Sequence, residues 1–422
     1  MLSPTSRDLI FTLSALLPIP MRSTPCLRPL NAWWGEESMF SMKSHSATIA
    51  LIFGHIAGMI DLAGLPVWVG TLSAGFGFGN THAGGLVTAF LLGVVLASLW
   101  VARMFHKLPG HLLAPGGYGA SAVCFVLMSQ LPPEFGTFLA LHTLAGMATG
   151  AALSSTHGTM GRTANPLRIF ALCSAGFGVF ALVFLGTAPA VIAQSGPPTF
   201  FMILAAIMGT AALVTSMFFP KQQAGTDVQH YTAARIPATA WLVTIGVMLM
   251  NFVQALTFSY VERIGMARGY GEGEVQTVLL SIGIVNMFPG LIAAALQKRL
   301  PPLVVGIAGA AVQALLSVLI TGSNDFLLYA VPSLFFAAVM IFTHTFLFGF
   351  LAKVDPSARA AAATPAMTMA GSAIAPLLGG VLSDVIGYHA IGLTAAVVAC
   401  VTVALFARAH LSTRVIQQAG TT

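Results

Sequence analysis

Residues 82–107 read HAGGLVTAFLLGVVLASLWVARMFHK, an apolar run that ends in the basic residues Arg103 and Lys107. A membrane-spanning helix needs about 20 apolar residues, because the hydrocarbon core of a bilayer is about 30 Å thick. Twelve such stretches follow one another between about Ala47 and Leu411. The sequence therefore predicts an all-α membrane protein with 12 transmembrane helices.

The basic residues fall almost entirely in every second connection between these stretches. Only Arg263 and Arg268 lie in the other connections, whereas the remaining 16 of the 18 Lys and Arg residues lie in the first set or near the chain ends. Connections rich in Lys and Arg stay in the cytoplasm. The pattern predicts that both termini are cytoplasmic. We call the side that carries most basic residues the basic face, and the other side the outer face.

Composition excludes most other classes of protein. The chain is 57% hydrophobic and 7% charged, with a mean hydropathy of +0.88, which is typical of a protein solvated by lipid. The net charge of +6 comes from basic residues that stand singly or in pairs at helix ends, so it signals orientation and not nucleic-acid binding. The four cysteines share no close spacing, so neither a disulfide framework nor a zinc site is expected, and no cofactor is predicted.

The apolar stretches predict helices with turns between them. The extension 1–46 is expected to be disordered or to precede the true start, 47–219 and 238–411 to be six-helix bundles, 220–237 to be a cytoplasmic linker, and 412–422 to be a cytoplasmic tail. The predicted helices are Ala47–Leu72, His82–Phe105, His111–Leu131, Phe135–Met160, Leu167–Ala193, Thr199–Phe219, Ala238–Val261, Val275–Leu296, Pro301–Thr321, Phe326–Ala352, Thr364–Val385 and His389–Ala409.

The two predicted bundles carry similar short segments at similar separations. Residues 103–109 resemble residues 295–301 at an offset of 192, and residues 165–168 resemble residues 355–359 at an offset of about 190. Two matches at nearly one offset indicate duplication. Parallel repeats of six helices are a known transporter architecture, with the binding site between the halves near mid-membrane.

These segments resemble the major facilitator superfamily of secondary transporters. Its loop motif G-x-x-x-D-R-x-G-R-R aligns with residues 98–107, which have Ala102 in place of the acidic residue, and with residues 290–299. Residues 371–387, GSAIAPLLGGVLSDVIG, resemble its eleventh helix. The resemblance covers Ala47 to Leu411 and implies two pseudo-symmetric six-helix bundles. It also implies a gating loop that contains Arg103, Lys107, Lys298 and Arg299.

Asp61 is the acidic residue that lies in the middle of a predicted span. An ionisable residue deep in a membrane helix is costly and is a functional candidate by default. Asp61 is therefore predicted to couple transport to protons or to contact substrate. The alternative is a structural hydrogen bond to a neighbouring helix. Glu262 and Asp384 lie near the outer ends of helices, where water is expected to solvate them.

Two further groups of residues are candidates for the transport site. The repeat offset places Asn251 opposite Asp61, and Gln254 and Phe258 continue the same stripe of the seventh helix, which predicts a substrate surface. The alternative for Asn251 and Gln254 is interhelical hydrogen bonding. The family motif R-x-x-x-G of the fourth helix resembles residues 142–146, HTLAG, so His142 is a proton-relay candidate, with plain packing as the alternative.

The predicted function is secondary active transport of a small organic solute, coupled to protons. A membrane enzyme needs clustered His and carboxylate residues, and a primary pump needs a phosphate-binding loop, and neither motif occurs in the sequence. The sparse mid-span basic residues favour a hydrophobic or cationic solute over a strongly anionic one. We expect a monomer in the bacterial cytoplasmic membrane with no nucleic-acid partner. A facilitative uniporter is the alternative, and a transporter-like sensor or membrane enzyme is a weaker one.

Overall fold

The structure, a computed structural model, describes residues 37–104, 108–161, 163, 166–220, 237–296, 299–354 and 364–419. Ser46–Thr422 forms one compact unit, and Met1–His45 forms a separate one, of which residues 37–45 are described. Within the described residues, 12 helices are long and apolar enough to cross a membrane. The predicted fold class is confirmed.

Each span is one helix or a helix broken into shorter pieces, as expected in lipid, where the backbone must satisfy its own hydrogen bonds. We number the spans 1 to 12 and call spans 1–6 and spans 7–12 the two halves. The helices are Glu37–Gly58, Ile60–Gly70 and the π-helical turn Thr71–Gly75 in span 1; Gly79–Met104 in span 2; Gly110–Gln130 in span 3; Phe135–Met160 in span 4; Pro166–Ser195 in span 5; Pro198–Phe218 in span 6; Ala238–Phe258 and Val261–Ala267 in span 7; Glu272–Val285 and Pro289–Leu296 in span 8; Pro302–Gly322 in span 9; Phe326–Val354 in span 10; Thr364–Ser372 and Ala375–Val385 in span 11; and His389–Ala419 in span 12.

Proline explains the breaks in spans 8 and 11. A proline inside a helix lacks an N–H group and its ring clashes with the carbonyl four residues earlier. The first helix of span 8 ends at Val285, four residues before Pro289. The first helix of span 11 ends at Ser372, four residues before Pro376. Predicting both spans as continuous helices overlooked this effect.

The breaks in spans 1 and 7 have no proline at the break. Met59 of span 1 has a non-helical backbone, and Ser259 and Tyr260 separate the two helices of span 7. The Ser259 hydroxyl donates to the carbonyl oxygen of Ala255 at 2.6 Å and competes there with the helical N–H group. Both breaks free the N–H groups of the helix that follows.

Several helix ends differ from the predicted ones. The first helix begins at Glu37, ten residues before Ala47, and the last runs to Ala419, ten residues beyond Ala409. Hydropathy marks where a chain leaves the lipid, whereas a helix can continue into water. Residues 1–36 and most of the predicted linker, residues 221–236, lie outside the described part of the chain, and the domain boundaries stay a prediction.

Spans 2 and 4 approach each other through glycines. A Cβ built at Gly146 or Gly150 would collide with the carbonyl oxygens of Phe90 and Val94 respectively, and one built at Gly93 would lie 2.7 Å from the carbonyl oxygen of Thr143. Small residues let membrane helices pack backbone against backbone.

The two halves meet through spans 2 and 11, from the middle of these helices to their outer ends. A Cβ built at Gly84 would collide with the carbonyl oxygen of Pro376, and one built at Gly380 with the carbonyl oxygen of Asn80. Since the backbones touch without side chains between them, the described part of the structure is closed on the outer face along this seam.

Candidate functional site

Asp61 lies at the break in span 1, where it is the second residue of the helix Ile60–Gly70. Its side chain is 2% exposed, and its carboxylate lies beside the backbone N–H groups of Asp61 and Leu62, although the Leu62 N–H group donates to the carbonyl oxygen of Met59 at 3.1 Å. The break places both N–H groups in the first turn of this helix. Asp61 therefore stabilises the start of this helix, with a negative charge at its positive end.

His142 of span 4 is fully buried beside Trp68 of span 1. The indole Nε1 of Trp68 donates to Nε2 of His142 at 3.2 Å, and Nδ1 of His142 lies 2.7 Å from the carbonyl oxygen of Phe138. This geometry fits the tautomer that carries its proton on Nδ1 and accepts at Nε2. Both ring nitrogens thus have partners in the closed arrangement.

The polar residues of the span 7 stripe contact neighbouring spans of their own half. Asn251 donates to the carbonyl oxygen of Val247 at 2.9 Å and lies 3.2 Å from Nε2 of His344 in span 10. Gln254 accepts from the Gln313 amide of span 9 at 3.2 Å. Interhelical hydrogen bonds, the alternative for Asn251 and Gln254, are therefore present in this arrangement.

Phe258, the aromatic member of the stripe, is 3% exposed and belongs to the main apolar core. It ends the first helix of span 7. The structure gives Asp61 and the stripe residues no hydrogen bond to one another. Gln313, the partner of Gln254, was missed by the sequence analysis, because a polar residue in an apolar span shows its partner only when the helices are assembled.

The predicted gating loop falls largely outside the described side chains. Lys107 and Lys298 lie in undescribed segments, and only the backbone of Arg103 is described. Arg299 is exposed at the basic face.

A buried histidine pair joins spans 1 and 4. His55 Nδ1 lies 2.9 Å from His157 Nε2, so one imidazole donates to the other. Phe177 and Phe170 of span 5 contact these rings edge-on. Among the described residues, no group of three or more His, Cys, Asp or Glu side chains can hold a metal ion. The pair forms a hydrogen bond between spans 1 and 4.

Polar contacts at the outer face join the two halves. The carboxylate of Asp384 in span 11 accepts hydrogen bonds from the backbone N–H group and the hydroxyl of Thr81, at 2.8 and 2.7 Å, in the first turn of span 2. The Tyr260 hydroxyl of span 7 donates to the carbonyl oxygen of Pro376 at 2.6 Å and lies 3.3 Å from that of Asn80. We call these contacts the outer closure.

Glu262 adds a buried carboxylate between spans 1 and 7. The expectation that water solvates Glu262 and Asp384 is correct for Asp384, which is exposed, and wrong for Glu262, whose Oε2 is buried and has no hydrogen-bond partner among the described residues. The carboxylate lies against Gly70 of span 1. The predicted helix ended at Val261, one residue before Glu262, whereas span 7 continues to Ala267 and carries Glu262 into the packed part of the molecule.

Comparisons with known proteins agree with this architecture. The crystal structure of a mutant of the nucleoside transporter NupG has a similar fold, with a TM-score of 0.67 and 13% sequence identity over 86% of this chain and 99% of that chain. No curated protein sequence matches the chain. The family model described as Major Facilitator Superfamily matches residues 51–370, most of the sequence. The chain belongs to the major facilitator superfamily, as its motifs predict.

Proposed function

We propose that this protein is a secondary active transporter that moves a small organic solute by alternating access, driven by protons. The observation that carries the proposal is the seam between the halves, where Gly84 and Gly380 bring backbones together from mid-span to the outer face. Contacts of this kind can separate as rigid surfaces, because no interlocked side chains must be withdrawn. Family membership supports the same function.

Nucleosides are the first solute class to test. The fold matches a structure described as a nucleoside transporter, and the amides of Asn251 and Gln254 beside Phe258 offer hydrogen bonds and an aromatic surface to a flat, uncharged base. A strongly anionic solute is disfavoured. Arg268 donates to carbonyl oxygens of Ile320 and Thr321 and is therefore already engaged.

Asp61 and His142 are the proposed proton-carrying groups, and Asp61 with Asn251, Gln254 and Phe258 is the proposed substrate surface. These roles require the hydrogen bonds of the closed arrangement to rearrange when the other face closes. The basic residues Arg103, Lys107, Lys298 and Arg299 are proposed to control closure of the basic face. We place both termini in the cytoplasm, and the protein, as a monomer, in a bacterial cytoplasmic membrane.

Facilitated uniport is the second candidate. It is favoured by the position of the Asp61 carboxylate against the backbone of its own helix, and by the hydrogen bonds of His142 to Trp68 and Phe138. Groups held in this way need not exchange protons during transport. The two candidates differ in whether a proton gradient drives accumulation.

The test uses the purified full chain in proteoliposomes with an imposed pH gradient. Labelled uridine and adenosine are the first solutes, and a thermal-shift screen of metabolites supplies others if neither is taken up. A proton-driven transporter concentrates the solute, and a protonophore abolishes the concentration step. A uniporter equilibrates the solute in both conditions.

Asp61→Asn examines the role of the span 1 carboxylate. The amide keeps an oxygen acceptor for the helix but cannot exchange a proton, so we expect accumulation to be lost while solute counterflow remains. Asp325→Asn, which neutralises an exposed acid in the connection between spans 9 and 10, is the control and should behave like the parent. Undiminished concentrative uptake by Asp61→Asn would rule out the coupling role.

A further inference from the structure

Glu262 sits where the two halves touch, and its burial depends on that contact. It is the second residue of the outer helix of span 7, and its carboxylate lies so close to Gly70 of span 1 that a Cβ built there would stand 2.8 Å from the carboxylate carbon. Oε2 is buried without a hydrogen-bond partner in the described part of the chain. Separation of spans 1 and 7 at the outer face would expose this group to water.

Among the described residues, the surroundings of Glu262 supply one nearby opposite charge, Arg263, but no ion pair to its carboxylate. From span 1 the facing residue is Gly70, which is neutral. The titratable or charged groups around Glu262 are Arg263 of the same helix, Arg268 and Tyr270 of the turn that follows it, Glu272 of span 8 and Tyr329 of span 10.

Arg268 and Tyr329 are engaged elsewhere, and the charge of Arg263 acts on Glu262 without forming an ion pair. The Arg268 guanidinium binds carbonyl oxygens at the end of span 9, and the Tyr329 hydroxyl donates to the carbonyl oxygen of Val261 at 3.0 Å. Arg263 follows Glu262 directly, and consecutive helical residues do not face each other. Its Nε atom is itself buried without a partner. An ionised carboxylate is poorly stabilised in such a place, whereas a neutral one avoids most of the cost of burial.

We propose that Glu262 is a proton-binding site of the outer face, which takes up a proton when spans 1 and 7 close over it and releases it when they part. The inference rests on the alternating access of the proposed function, and it adds a group beyond Asp61 and His142. The Asp61 carboxylate lies against the backbone of its own helix, whereas Glu262 depends on the other half. Closure of the outer face would thereby become more favourable as the pH falls.

The test measures the outer face directly and needs no solute. Spin labels are attached through Gln130→Cys, at the outer end of span 3, and Asn324→Cys, between spans 9 and 10, in a full chain whose four native cysteines are replaced by serine. Distances between the labels are measured in lipid nanodiscs from about pH 5 to about pH 9, a range wide enough for a shifted carboxyl group to titrate.

In the parent protein, the ratio of closed to open molecules should fall by up to about tenfold per pH unit as the pH rises, the limit for one proton. Glu262→Gln, which mimics the neutral form, should stay closed across the range. In Glu262→Asp, the ratio of closed to open molecules should still depend on pH. This result would show that the site tolerates a substitution that keeps the carboxylate. Glu134→Gln, which removes an exposed carboxylate at the outer start of span 4, is the matched control and should follow the parent.

A parent ratio that does not change with pH would overturn the proposal, and so would a Glu262→Gln protein that responds to pH as the parent does. Failure here is separable from failure of the proposed function. If closure does not depend on pH but uptake is driven by protons, only the role of Glu262 is ruled out. If uptake is independent of protons but closure still depends on pH, proton-coupled transport is ruled out and the proton site at Glu262 stands.

Discussion

Spans 1 and 7 are both broken, and each carries an acid at the second residue after its break. Asp61 follows Ile60 in span 1, and Glu262 follows Val261 in span 7. The shorter side chain of Asp61 folds back onto its own helix, whereas Glu262 contacts the opposite half and leaves Oε2 without a partner. The comparison teaches that two acids in similar local settings differ in their neighbours: Asp61 faces the backbone of its own helix, whereas Glu262 loses its contact with Gly70 when the halves part.

The largest expected effect is a difference in protein stability between alanine variants of the two acids. Asp61→Ala removes a buried carboxylate from the positive start of the helix Ile60–Gly70 and leaves a cavity there, and it should cost roughly 2 to 4 kcal/mol. Glu262→Ala removes an unpartnered carboxylate and should cost under about 1 kcal/mol. Thermal unfolding in detergent measures both, and Asp61→Asn should recover much of the loss. Equal losses for the two alanine variants would contradict the comparison.

A smaller effect, on the closure of the outer face, is expected at Gly70, which lies against the Glu262 carboxylate. Gly70→Ala places a methyl group against the carboxylate and should favour the open outer face by roughly 1 to 3 kcal/mol, or about five- to a hundredfold. Gly64→Ala is the matched control, since a Cβ there lies 3.9 Å from its nearest neighbour, an atom of Trp68. The spin-label distances report the shift.

A double variant sharpens this prediction. If the methyl group acts through Glu262, Gly70→Ala combined with Glu262→Ala should restore the closed population, because neighbouring substitutions are not additive. An unchanged effect of Gly70→Ala in the Glu262→Ala background would show that it acts elsewhere.

The smallest effect belongs to the exposed acid of the outer closure. Asp384→Asn weakens a charge interaction at the start of span 2, worth roughly 0.3 to 1 kcal/mol at an exposed helix end. The closed population should fall by a factor of about five or less, with the same dependence on pH as the parent. A flattened pH dependence in Asp384→Asn would transfer the proton site from Glu262 to Asp384.

The sequence predicts the fold well because lipid imposes a single requirement on every span. Uncharged runs such as 83–102, followed by Arg103, give both the length and the direction of a crossing. Pro289 and Pro376 even mark two of the breaks, although the predicted helices ran through them.

The candidate site is much less predictable. Neither break contains a proline, and a serine such as Ser259 is common inside unbroken helices, so the breaks beside Asp61 and Glu262 were not predicted. The repeat offset paired Asp61 with Asn251, whereas the acid that follows the break in span 7 is Glu262, because the two breaks lie at different distances from the ends of their spans. Partners such as His344 become visible only once helices distant in sequence are packed together.

The glycines between spans 2 and 4 also bear on how a solute reaches the protein from within the bilayer. With Gly146 and Gly150 set against the carbonyl oxygens of Phe90 and Val94, the backbones of spans 2 and 4 touch along this stretch, and no side chain fits between them there. A hydrophobic compound that enters from the lipid would therefore have to pass between a different pair of spans.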